Sequence, residues 1–107
     1  MVNGKSIDDR AGVVMLSGVL QELDKLRYQA EVYAVATVQE EVGTRGAVIS
    51  TYHVEPDIGV AIDVTHGETP DASRDDTYSM EKGIVICKGP NMHPGLTDKI
   101  LEVAREY

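Results

Sequence analysis

The 107-residue sequence contains no Trp and no Phe, so any core must be aliphatic, with five Tyr as its only aromatics. It has one cysteine, Cys87, which excludes an internal disulfide and suits a reducing, cytoplasmic compartment. No apolar run approaches the ~18 residues of a membrane span, and Met1 to Lys5 hold no apolar stretch of signal-peptide type. Basic residues are scarce: ten Lys and Arg stand against eighteen Asp and Glu, a net charge of −8. Such a chain repels phosphate backbones and anionic lipid, so nucleic acid and membranes are poor partners. The acidic excess suits divalent cations, cationic substrates or plain solubility. The length fits one domain, 1–107.

What is present reads as alternating helices and apolar runs. Leu16, Val19, Leu20, Leu23 and Leu26 recur at helical spacing, which predicts an amphipathic helix over 9–27. Residues 31–39, EVYAVATVQ, predict a strand buried on both faces. A shorter helix follows over 43–52, with Val48 and Ile49 inward. Residues 57–64, DIGVAIDV, predict a second strand, and 84–87 a third. The polar stretch 65–82 reads as a long loop, and 96–107 as a final amphipathic helix. This order predicts an α/β fold, part of a three-layer arrangement with a mostly parallel sheet flanked by helices. Three strands are few for a doubly wound sheet, so the expectation is a piece of a larger one.

Acidic residues gather at the predicted strand ends and helix starts. Asp8 and Asp9 precede the first helix, Glu40 and Glu41 follow the strand 31–39, and Asp63 closes the strand 57–64. Open α/β sheets bind ligands beyond the carboxyl ends of their strands. Crowded carboxylates repel unless a cation neutralises them, so a divalent metal is one answer. Of two adjacent glutamates, one can bind metal while the other acts as a base. Equally, Asp8 or Asp9 can cap a helix starting near Arg10, and Glu40–Glu41 can open the next helix. Both readings stand on the residues alone. His53, His66 and His93 read as ordinary surface or loop histidines that can also be asked to serve as ligands. Cys87 reads as a small buried apolar residue. Gly43 and Gly46 read as turn and close-packing residues.

Four ordered motifs carry a resemblance. They are Ser6-Ile7-Asp8-Asp9-Arg10-Ala11-Gly12; Ala36-Thr37-Val38-Gln39-Glu40-Glu41-Val42-Gly43-Thr44-Arg45-Gly46-Ala47; Asp57 through Ala61-Ile62-Asp63-Val64-Thr65; and Gly89-Pro90-Asn91-Met92-His93-Pro94. Together they resemble the glutamyl and deblocking aminopeptidases, dinuclear metallopeptidases whose members include the tetrahedral particles. The resemblance covers nearly the whole chain. It implies cleavage of N-terminal peptide bonds by a metal-activated water, with two divalent ions, zinc or cobalt. It implies Asp8 as the bridging carboxylate, Glu40 as the catalytic base, and Glu41 and Asp63 as ligands of one metal each. It further implies a cis peptide between Asp8 and Asp9, a peptide substrate and a homo-oligomer.

The departure is large. Family members are considerably longer. They carry one histidine ligand upstream of the motif at Asp8 and another downstream of the motif at His93. The resemblance therefore points to the central part of a catalytic domain. Standing alone, it is expected to bind metal weakly and to be weakly active or inactive. Two other classes compete. Paired carboxylates can serve a glycoside hydrolase, which a chelator would not inhibit. A non-catalytic module would associate with itself through exposed apolar surface, which light scattering would reveal.

Overall fold

Residues 3–107 are described by the computed structural model of the protein. Met1 and Val2, part of the stretch read above as lacking a signal-peptide core, lie outside them. The chain forms two units, one ending at Val64 and one spanning Thr65–Tyr107.

The described residues of the first unit hold two helices. Helix α1 spans Ile7–Leu23, but Asp8 (φ −79°, ψ 109°) and Asp9 (φ −116°, ψ 56°) are not helical, so regular backbone begins at Arg10. The helix ends earlier than its apolar pattern predicts. The Lys25 N–H donates to the Glu22 carbonyl at 3.1 Å and the Leu26 N–H to the Leu23 carbonyl at 2.9 Å. These three-residue bonds tighten the last turn and close the helix. Leu26 thus leaves the apolar stripe and is exposed.

Helix α2 spans Arg45–Val54. The predicted start at 43 fails because Gly43 (φ 118°) and Thr44 (φ 54°) adopt left-handed backbone, which no α-helix contains. The helix stops at Glu55, also left-handed at φ 48°, whose N–H returns to the Thr51 carbonyl at 2.9 Å.

The second unit holds helix α3, Pro94–Ala104. Pro94 occupies the first turn, where its missing N–H costs nothing. The His93 imidazole accepts the Leu96 N–H at 3.2 Å and caps the helix. A single 3₁₀ turn, Met80–Lys82, opens on Ser79, whose hydroxyl accepts the Glu81 N–H at 3.3 Å.

Among the described residues the expected parallel sheet is absent. Residues 31–39, 57–64 and 84–87 carry no ladder, and the one pairing among the described residues is an isolated parallel bridge between Gly67 and Tyr78. The architecture is helical, with irregular connections, rather than α/β. An apolar run makes a segment suitable for a strand, but a strand exists only where a neighbour accepts its N–H groups. None of these segments has that neighbour.

Packing follows the same logic. Helices α1 and α2 do not pack against each other. Among the described residues no hydrophobic side chain is buried; the buried positions are Gly12, Gly46 and Thr97. Leu16 and Leu23 are half-buried, whereas Val19 and Leu20 are exposed. Val48 and Ile49, expected inward, are 65% and 58% exposed, because α2 has no facing element to bury them. Cys87 is likewise exposed, correcting its reading as a buried residue; without a sheet at 84–87 nothing covers it.

Candidate functional site

The first acidic pair sits at an irregular helix start. Ser6 is left-handed (φ 58°), and the Asp8–Asp9 peptide is cis, as the resemblance implies. The Asp9 carboxylate accepts the Gly12 N–H at 2.8 Å, so Asp9 caps the regular part of α1. Of the two readings left open, capping holds for Asp9. Asp8 is exposed.

The second pair sits on a tight turn that leads into α2. Gln39 is left-handed at φ 56°. The Glu40 carbonyl accepts two N–H groups, Gly43 at 3.0 Å and Thr44 at 2.9 Å. The Gly46 N–H donates to the Val38 carbonyl at 2.9 Å, tying the start of α2 to the residues just before the pair. Gly43 and Gly46 are the turn and close-packing residues they were expected to be. The side chains of Glu40 and Glu41 are exposed, and neither residue opens the helix, which starts at Arg45.

Asp63 lies near the end of the same unit. Its carboxylate accepts the N–H of its neighbour Val64 at 2.7 Å and is otherwise open to solvent. The residues singled out by sequence, Asp8, Glu40, Glu41 and Asp63, therefore all belong to the first unit. They are not brought together: among the described residues no group of three or more His, Cys, Asp or Glu side chains is placed to hold a metal ion. Hard carboxylate oxygens suit a divalent cation chemically. Their placement here does not fit one.

The histidines have local roles. His53 lies in the last turn of α2, with its ring edge-on to Tyr52 at 5.9 Å. The His66 carbonyl accepts the Tyr78 N–H at 2.9 Å. His93 caps α3 through Nδ1, and Pro94 beside it, in the first turn, is what marks the capping position in the sequence. Gly12 escaped the sequence reading, although its spacing of three residues from Asp9 is that of a cap and the amide it receives.

A family model described as M42 glutamyl aminopeptidase matches residues 1–107. The chain is 35% identical to the lysyl aminopeptidase of Pyrococcus furiosus over 101 residues, which is 94% of this chain and 29% of that protein. It is 33% identical to the glutamyl aminopeptidase of Lactococcus lactis over 110 residues, 95% of this chain and 30% of the relative. It is 43% identical to a putative aminopeptidase of Acetivibrio thermocellus over 72 residues, 66% of this chain and 21% of the relative. The chain thus spans about three-tenths or less of the length of these relatives. No solved structure matches. No helix among the described residues is long and apolar enough to cross a membrane.

Proposed function

Because the chain belongs to the M42 glutamyl aminopeptidase family, we propose that it contributes to the hydrolysis of N-terminal peptide bonds. The match of the family model to all of residues 1–107 carries this reading, supported by relatives named as lysyl and glutamyl aminopeptidases. The names of those relatives lend nothing to a glycoside hydrolase. The substrate class is a peptide with a free N-terminus.

Glu40 is the catalytic residue of this reading. An exposed carboxylate on a turn fixed by two backbone hydrogen bonds can take a proton from the attacking water and return it to the departing amine. The family resemblance assigns Asp8, Glu41 and Asp63 to two divalent ions, zinc or cobalt; separate as they stand here, these carboxylates would have to converge before they could hold them. The homo-oligomer and the reducing, cytoplasmic setting belong to the same proposal; the exposed thiol of Cys87 and the exposed apolar residues of α1 and α2 agree with them.

The test is hydrolysis of aminoacyl p-nitroanilides and short peptides with and without added zinc or cobalt. Release should be confined to free N-termini and abolished by N-acetylation. In an intact parent of this chain, Glu40→Gln should lower turnover by about 100-fold or more while cation binding, followed by calorimetry, persists. Asp8→Asn should weaken cation binding itself. Equal cleavage of acetylated peptides, or a Glu40→Gln protein of unchanged turnover, would sink the reading.

A further inference from the structure

We infer that Gly46 is a positioning residue, which holds the segment bearing Glu40 and Glu41 against the first turn of α2. The inference rests on the reading of those two glutamates given above. Both side chains are exposed, so no packing fixes them and their placement depends on the backbone beneath. That backbone is anchored at two points. On one side the Glu40 carbonyl takes the N–H groups of Gly43 and Thr44. On the other, the buried Gly46 donates its N–H to the Val38 carbonyl at 2.9 Å.

The second anchor admits no side chain. A Cβ at Gly46 would fall far inside van der Waals contact of both the N and the O of Val38, and 3.2 Å from the Thr37 carbonyl carbon. All three are backbone atoms, so no rotamer change relieves the overlap. The strand of chain ahead of the glutamates must move instead, and Gln39, already left-handed, is the single residue between Val38 and Glu40. A displacement at Val38 therefore reaches Glu40 through one peptide unit on either side of a residue with little freedom.

Amide NMR of the full chain tests this. In the unsubstituted protein the Gly46 amide should exchange at least about tenfold more slowly than its unprotected rate, as a buried hydrogen-bonded N–H does. Gly46→Ala should shift the amide resonances of residues 37–41 and leave those of α1 in place. Gly59→Ala, where a Cβ meets nothing, should disturb neither. Added manganese(II) should broaden the Glu40 and Glu41 amides of the unsubstituted protein, and this broadening should fall several-fold in Gly46→Ala while any broadening at Asp8 persists. An unprotected Gly46 amide, or unchanged resonances at 37–41 in the variant, overturns the inference. Should the variant not fold, the exchange rate of the unsubstituted protein decides alone. Manganese that broadens nothing near Glu41 tells against the cation reading of the pair, and the shift and exchange results still settle the role of Gly46.

Discussion

Gly12 and Gly46 are both buried, and each lies where an acidic pair joins a helix, yet a methyl group would strike different things at the two places. At Gly12 it would overlap the Asp9 carboxylate, the movable end of a side chain. At Gly46 it would overlap the backbone of Val38. The first contact can be escaped by rotating Asp9, at the expense of one hydrogen bond. The second can be escaped only by moving the chain. Two acidic pairs that look alike in sequence are thus held by a soft clamp and a hard one.

The largest effect should come from breaking the hard clamp. Gly46→Ala is expected to destabilise the first unit by about 1–3 kcal/mol, the range for overpacking a site that cannot give way. Urea unfolding followed by circular dichroism measures it; a loss indistinguishable from that of Gly59→Ala would show that the backbone yields freely.

The soft clamp should respond less, and with a signature of its own. Gly12→Ala gains up to about 1 kcal/mol of helix propensity but displaces the capping carboxylate, worth about as much, so the net change should stay below about 1 kcal/mol. Asp9→Ala alone should cost about 1 kcal/mol. Placed in that background, Gly12→Ala should become stabilising, because the overlap has gone and the propensity gain remains. A double-mutant cycle closing without coupling would mean that the two residues do not act on each other.

This contrast also separates what the sequence made legible from what it hid. The three helices were readable within a few residues, since apolar spacing and Pro94 report directly on local backbone. Their ends were less so: the left-handed Thr44 and the tight turn after Leu23 follow from hydrogen bonds that no spacing announces. The strands were misread because 31–39 and 57–64 have the composition of buried strands, while pairing depends on a partner elsewhere in space. For the same reason the acidic pairs could be picked out one by one, but their convergence could not be inferred from strand ends that are not strand ends. Capping by Asp9 was legible because it spans three residues. The cis Asp8–Asp9 peptide was reachable through the family resemblance and through nothing in the local composition.

A smaller effect should come from the strain that the hard clamp encloses. Thr44 is β-branched and left-handed at φ 54°, and as the residue before α2 it makes no side-chain capping bond. Thr44→Gly therefore loses little and relieves an unfavourable backbone conformation, though glycine also gains freedom in the unfolded chain. The expected result is stabilisation of about 1 kcal/mol or less. If the strain is local, the gain should be the same in the Gly46→Ala background; a gain that vanishes there would show that the Gly46 contact is what forces Thr44 into this conformation.

The smallest effect lies in the other unit and sets the floor for these comparisons. Lys88 and Asp98 form an ion pair at 3.0 Å, with the two side chains 65% and 64% exposed. Water screens their attraction, and ordering two mobile side chains offsets much of what remains. Lys88→Ala should change stability by less than about 0.5 kcal/mol, and raising the salt concentration should remove even that. The pair bridges residues ten apart, linking the segment before Gly89 to helix α3, so it is the one side-chain hydrogen bond among this unit's described residues that spans more than four residues. A loss above about 1 kcal/mol would mean that this link, rather than buried apolar surface, ties α3 to its unit. In a unit whose described residues bury no hydrophobic side chain, that outcome would move the weight of the comparison from glycine contacts to charges.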